Sequence, residues 1–438
     1  MTAILRNRTF RHLFLAQIVA LLGTGLATVA LGLLAYDLAG GGAGTVLGTI
    51  FAIKMVAYVG IAPVAGAFAD RLPRRAMLVA LDLVRAGTAL CLPFVTEVWQ
   101  VYVLIFLLQS ASAAFTPTFQ ATIPDVLPDE GDYTRALSLS RLAYDVENIV
   151  SPTVAALLLM LVSSDALFFG TALGFAASAA LVVSVLLPSP EPGEPRGIYD
   201  RSTRGIRIYL ATPRLRGLLA LNLAAAAAGA MVLVNTVVLV RSDLGLGETA
   251  VALAMGAFGA GSMVAALLLP RLLDRVDDRP VMMSGALLLV AVLAVMAALL
   301  SRFGPSWPLL LGAWFTIGLG YSSVLTPSGR LLRRSSHAED RPAIFAAQFA
   351  LSHACWLVTY PLAGALMTAQ GAVVACLVLG TLAALGLLTA LLTWPAGDPR
   401  EVPHRHTDLP PDHPHVKDGA YHVHPYIIDR LHHAWPAR

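Results

Sequence analysis

Charge is what this sequence has least of. Only 13% of its 438 residues are Asp, Glu, Lys or Arg, against 57% that are hydrophobic, and the mean hydropathy is +0.72. A soluble protein of this length cannot bury so much apolar surface, so lipid has to be the solvent for much of the chain. Cysteine is scarce as well. The three present, Cys91, Cys355 and Cys376, sit in apolar segments without metal-ligand spacing, which excludes a disulfide framework and a cysteine zinc site and leaves them as packing residues. There is no nucleophile triad and no phosphate-binding loop after a strand, so the chain is not expected to be an enzyme or to hold a cofactor. The net charge of +3 is spread over short basic clusters between apolar runs, the pattern of membrane topology rather than of a nucleic-acid surface.

Long apolar runs are what the sequence has in abundance. A hydrocarbon core about 30 Å thick needs about 20 apolar residues per helix. Such runs fall at 11–38, 44–68, 76–96, 99–122, 136–161, 165–187, 217–240, 249–272, 281–300, 306–327, 342–368 and 371–394. They predict twelve transmembrane helices in an all-α membrane protein: a first half at 1–187, a linker at 188–216, a second half at 217–394 and a tail at 395–438. The first run is too long for a signal-peptide core and is expected to stay as an anchor. The linker opens Pro188-Ser-Pro-Glu-Pro-Gly-Glu-Pro and ends in an arginine-rich amphipathic stretch with Ile206, Tyr209 and Leu210 at helical spacing; this predicts a helix on the membrane surface. Arg6, Arg8, Arg11, Arg71, Arg74, Arg75, the linker arginines, Arg271, Arg275, Arg279, Arg330, Arg333, Arg334 and Arg341 fall on one side, and Arg241 and Arg302 on the other. Both termini are therefore expected to be cytoplasmic, in a multi-pass membrane protein with lipid as a partner and no nucleic acid.

The halves are related. Asp70-Arg71-x-x-x-Arg75 after the second run returns as Asp274-Arg275-x-x-x-Arg279 after the eighth, 204 residues on; Thr116-Pro117 returns as Thr326-Pro327, and Pro152 as Pro361. Helix N thus corresponds to helix N+6. The stretch Gly66-Ala-Phe-Ala-Asp70-Arg71-Leu-Pro-Arg74-Arg75 resembles the loop signature between the second and third helices of the major facilitator superfamily. In the second copy Pro270 stands for the glycine and Asp278 for an arginine, from which a looser packing is expected. Together with Asn7-Arg-Thr-Phe-Arg11, Phe115-Thr-Pro-Thr-Phe-Gln-Ala-Thr-Ile-Pro124 and the linker end Thr212-Pro-Arg-Leu-Arg216, the chain resembles the drug:proton antiporter-3 branch, including histidine-tailed nickel-resistance exporters. The resemblance implies the major facilitator fold, two pseudo-symmetric six-helix bundles, and export by alternating access, by a monomer of a bacterial inner membrane whose partners besides lipid are protons and a small molecule or metal ion. It also implies a conformational latch in Gly66, Asp70, Arg71, Arg74 and Arg75, echoed by Asp274, Arg275 and Arg279.

Ionisable groups at bilayer depth cost at least a few kcal/mol each, so those present are candidates for substrate or coupling-ion handling. Lys54 lies about 15 Å into the second helix at 1.5 Å per residue. Asp82 and Arg85, three apart on the third, can pair. On the fifth, Arg141 and Asp145 share a face with Asn148, whereas Glu147 points elsewhere and needs a partner. A desolvated carboxyl that alternates between proton and cation is one reading of Glu147 or Asp145; a static network is the other. By resemblance, antiporters of the superfamily carry a Gly-Pro-rich motif on the fifth helix, and Ser151-Pro152-Thr-Val-Ala155-Ala156 is its counterpart. His353 on the eleventh helix joins the candidates, as a site or a packing group. Gly256, Gly259, Gly261 and Ser262 point to close helix packing.

The tail holds His404, His406, His413, His415, His422, His424, His432 and His433. Imidazoles one residue apart can chelate nickel, cobalt, copper or zinc, and a solvated tail or one docked through Tyr426-Ile-Ile-Asp429 are the other readings. Two cargoes therefore stand: a transition metal such as nickel or cobalt, or an amphipathic organic compound such as a drug, macrolide or siderophore.

Overall fold

The computed structural model describes residues 2–39, 43–66, 72–188, 198–398, 401–405, 421–424, 426–429, 431–432 and 435. Asp70, Arg71, His406, His413, His415 and His433 lie outside the described residues, and for Gly66, Asp145, His404, His422 and His424 the description covers the backbone alone.

A segment in lipid must satisfy its own backbone N–H and C=O groups, so apolar runs of this length become helices. The first half comprises α1 (Arg8–Ala39), α2 (Ala43–Gly66), α3 (Arg74–Cys91), α4 (Val98–Val126), α5 (Glu130–Leu159) and α6 (Ser164–Val183). After the linker helix α7 (Ile198–Ala211) come α8 (Pro213–Val238), α9 (Glu248–Leu273), α10 (Asp278–Phe303), α11 (Trp307–Leu325), the short α12 (Ser328–Arg334) and α13 (Arg341–Thr393). The last is two spans in one: Gly371 takes φ +80°, a left-handed backbone that disfavours any residue with a Cβ by about 1–2 kcal/mol. Among the described residues nine helices are long and apolar enough to cross a membrane. One of these is the doubled α13; with α2, whose shorter apolar stretch is Thr49–Ala65, and α5, the described helices supply twelve spanning segments.

Where helix ends differ from the apolar runs, caps explain it. The structure starts α5 at Glu130 rather than 136 because Asp129 accepts the Asp132 N–H (2.8 Å), and a polar first turn is invisible to a hydropathy pattern. A capping box between Glu97 and Gln100 sets the start of α4.

Small residues let backbones meet. A Cβ on Gly174 of α6 would sit 2.8 Å from the Val19 carbonyl of α1, and one on Gly386 of α13 would sit 2.5 Å from the Ala220 carbonyl of α8. These are the first-to-sixth-helix contacts of the two halves, made by the same device. Gly261 of α9 and Gly318 of α11 approach the Phe315 and Phe258 carbonyls more closely still. The linker helix is tied to the second half on one side: Ile208 and Tyr209 are buried while Leu210 stays exposed, Tyr209 donates to Gln348 of α13, and Arg204 makes a two-pronged pair with Asp340 (2.6 and 2.7 Å).

Candidate functional site

The halves meet through α5 on α9 and through α2 and α4 on α13. Among the described residues their polar contacts lie at mid-depth or toward the end that carries both termini, here the terminal side.

At mid-depth, Lys54 of α2 lies 5.6 Å from the Tyr58 ring and within electrostatic range of Glu147 of α5 and His353 of α13. Tyr58 packs on Phe349 and His353 across the interface, with ring centroids 4.9 and 4.8 Å apart. His353 Nδ1 is 2.7 Å from the Phe349 carbonyl, a bond along its own helix that orients the ring. Glu147 lies against α1, where a Cβ on Gly25 would come within 2.9 Å of its Oε1; the glycine is what gives that carboxyl its room. Arg141 Nε donates to Ser262 of α9 (3.2 Å), and its guanidinium stacks 4.8 Å from the Tyr321 ring of α11, so one α5 side chain touches two helices of the other half. Tyr321 continues into a row of rings, with Phe258 at 5.6 Å and Trp356 at 6.2 Å, and Tyr360 at 4.8 Å from Trp356. Together these side chains form a half-apolar surface between the halves, lined with aromatic faces and carrying charge of both signs.

Not every predicted residue joins it. Asp82 and Arg85 pair as their spacing requires, but inside the first half: Asp82 is fully buried and the pair is an ion pair on one helix. Arg85 is sandwiched between Phe115 of α4 (4.0 Å) and Phe175 of α6 (4.5 Å). The pair ties α3, α4 and α6 together and does not face the second half.

The terminal side is closed by arginines. Asp125, at the end of α4, accepts from Arg74 of its own half and from Arg341 at the start of α13. Arg330 of α12 pairs with Asp278 of its own half (2.9 Å) and with Glu130 at the start of α5 (2.9 Å), and donates to Thr134 (2.8 Å). Arg333 donates to the Pro128 carbonyl. The two pairings are related by the repeat. In role, at the matching helix ends, Arg74 corresponds to Asp278, Asp125 to Arg330, and Glu130 to Arg341, 204 to 211 residues apart, so the second copy makes the same bonds with every charge reversed. The expectation that Asp278 loosens the second signature is thereby corrected: the aspartate is the inverted partner of Arg330. The last arginines of both signatures also act alike. Arg75 donates to the Val183 carbonyl at the end of α6, and Arg279 Nε to the Trp394 carbonyl just past α13 (3.1 Å). Asp274 and Arg275 bond through their backbone N–H groups, to the Pro270 and Leu272 carbonyls, and their side chains make no polar contact among the described residues.

Asp125, Glu130, Arg330 and Arg341 were missing from the sequence-derived site, where the arginines counted only toward topology. Spacing does not flag them: the offset of 210 between Thr116-Pro117 and Thr326-Pro327 sets Asp125 against Ser335, and the offset of 209 between Pro152 and Pro361 sets Glu130 against Glu339.

Known proteins agree with this architecture. A family description, Major Facilitator Superfamily, matches residues 13–233 and 218–419. An uncharacterized MFS-type transporter of Bacillus subtilis (strain 168), YfiS, is 24% identical over 297 residues, 66% of this chain and 70% of the relative. Macrolide efflux protein A of Streptococcus pyogenes is 28% identical over 152 residues, which cover 34% of this chain and 37% of that protein. Among solved structures, the human organic anion transporter MFSD10 (TETRAN) superposes with a TM-score of 0.74 at 13% identity, over 87% of this chain and 99% of that one. A bacterial homologue of the iron transporter ferroportin, in an outward-facing state, gives 0.71 at 14% identity, over 88% and 97%. A match over most of its length, two six-helix halves and a repeated signature whose last residues, Arg74 and Arg75, Asp278 and Arg279, make matching bonds make this chain a transporter of the Major Facilitator Superfamily.

Proposed function

We propose that the chain is a proton-coupled exporter of an amphipathic organic compound, acting as a monomer in a bacterial inner membrane with the terminal side facing the cytoplasm. The mid-depth surface carries this reading: aromatic faces from Tyr58, Tyr321, Trp356 and Phe349, with Lys54, Arg141 and Glu147 among them. Such a lining suits a molecule with a large apolar body and a few polar groups. The relatives named for macrolide efflux support the same cargo, and the arginine-rich terminal side supports the orientation. Glu147 takes the coupling role, because a carboxyl between α1 and Lys54 can trade its proton for the approach of a charged group.

Transition-metal export is the second reading. Its specific support is a hairpin formed by β1 (Val402–Arg405) and β2 (Tyr421–His424), in which His404 and His422 are direct cross-strand partners.

The test is transport by purified protein in proteoliposomes under an imposed pH gradient, with radiolabelled erythromycin and with nickel. Gradient-driven erythromycin movement is expected, lost in Glu147→Gln with the protein still folded. Nickel movement without erythromycin movement would overturn the organic cargo, and full coupling in Glu147→Gln would overturn the role of that residue.

A further inference from the structure

The segment after α13 folds back onto the protein. Its root is fixed: the buried Trp394 donates from Nε1 to Asp398 (3.0 Å), and Asp398 receives Arg214 of α8 and Arg334 of α12, each at 3.5 Å. Farther along, Val402, Tyr426 and Ile428 are buried in the hydrophobic core of the second half. Arg214 stacks on the Trp435 ring at 4.9 Å, while Tyr426 touches His432 and Trp435 at 4.5 and 5.1 Å. Asp429 closes a tight turn, accepting from the N–H of Leu431 (2.7 Å), the N–H of His432 (2.8 Å) and His432 Nδ1 (2.9 Å). Its other oxygen lies 3.3 Å from Nε2 of His337.

His337 sits in the strip 330–341, which runs from α12 through the connection into the first residue of α13, and that strip has two sets of attachments. Arg330, Arg333 and Arg341 reach across to Glu130, Pro128 and Asp125 of the first half. Between them Arg334, His337 and Asp340 are held from outside, by Asp398, Asp429 and Arg204. The gate arginines are thus mounted on a strip whose position the tail and the linker helix fix.

We infer that the tail is an intramolecular clamp on the gate: docked through Asp429 and His337, it holds the 330–341 strip where its arginines meet the first half, and undocked, it lets the terminal side open. Asp429 and His337 are positioning residues, acting through Arg330, Arg333 and Arg341. The charged groups facing His337 are Asp429, Glu339 and Asp340, the last already engaged by Arg204; those facing Asp429 are His337 and His432. The inference goes beyond the cargo and does not rest on it.

The experiment uses the full chain with its three cysteines replaced and spin labels at Leu72→Cys and Ala338→Cys, exposed positions on opposite halves of the terminal side. Distance distributions are read with no cargo present. Amide exchange of 426–432 reports docking in parallel. Wild type should give a dominant short distance and slow exchange. His337→Ala should raise the longer-distance population about two- to fivefold, the range for a half-exposed ion pair. Asp429→Ala should do at least as much, and the double variant no more than Asp429→Ala. Deletion of 421–438, which keeps Asp398, should raise it about tenfold, since apolar docking is lost too. An unchanged distribution in the deletion variant overturns the clamp whatever the point variants do. So does tail exchange in wild type as fast as in an unfolded peptide.

Discussion

Neutralising Asp125 should unbalance the gate by an amount the geometry sets. In Asp125→Asn the side chain keeps its shape and one carbonyl acceptor but loses the charge that holds Arg74 and Arg341. Arg74, 2% exposed, belongs to the same half in every state of a rocking transporter, so its loss falls equally on open and closed forms. Arg341, 13% exposed, comes from the other half and is engaged only when the terminal side is closed. A partly buried hydrogen bond between charged groups is worth about 1.5–3 kcal/mol, and each 1.4 kcal/mol is a factor of ten. The open-to-closed ratio should therefore rise about 10- to 100-fold, read as the population of long distances between labels at 72 and 338. Asp132→Asn is the control. Its partner Arg135 is on the same helix, both are about two-fifths exposed, and the ratio should not move. A ratio for Asp125→Asn within twofold of wild type would refute the assignment of this bond to the gate.

Two further outcomes follow from packing and from titration. Gly261→Val should cost about 1–3 kcal/mol or more, because the added carbons run into the Phe315 carbonyl, whereas Gly256→Ala, with nothing within 4 Å, should be neutral; thermal unfolding in detergent separates them. Tail docking should weaken as pH rises. The hydrogen bond to Asp429 raises the pKa of His337; burial alone would raise that of Asp429, but hydrogen bonds from His337 and His432 outweigh it and hold the carboxyl well below its usual range. Asp429 therefore stays ionised, and the contribution of His337 is full below about pH 6.5 and lost as pH climbs through its raised value. With His337 about half exposed the effect is at most about 1 kcal/mol, seen as faster amide exchange at 426–432, corrected for intrinsic rate, between pH 6 and 9. Constant exchange would contradict it.

Most of the fold was legible because lipid enforces one solution. A run of twenty apolar residues has no structure but a helix in which its backbone is satisfied, and the breaks between runs were marked by Pro, Gly and charge. What stayed hidden was where helices begin in polar sequence, as at Asp129 and Glu130, since caps act through single hydrogen bonds rather than periodicity. The mid-depth residues were legible one by one, because each intramembrane charge is costly enough to draw notice. Their grouping was not. Nothing in the spacing of Asp82 and Arg85 says that the pair turns into its own half, toward Phe115 and Phe175, while Arg141 turns outward to Ser262 and Tyr321. That choice is made by which helices pack together, and helix order around a bundle is not written in any one helix.

The gate shows the same limit from the other side. By its letters the second signature is degraded, with proline for glycine and aspartate for arginine. The bonds at its described end are kept: Arg74 with Asp125 becomes Asp278 with Arg330, and Asp125 with Arg341 becomes Arg330 with Glu130. Coulomb attraction does not depend on which partner carries which sign, so duplicated halves can diverge by exchanging charges across a bond without losing it. The inversion is also what lets the halves attract. Asp125 and Glu130 give the first half two negative helix ends, and Arg330 and Arg341 give the second half two positive ones. Had the second copy kept the signs of the first, acid would face acid at both cross-half contacts, and the terminal side would be pushed open rather than held shut.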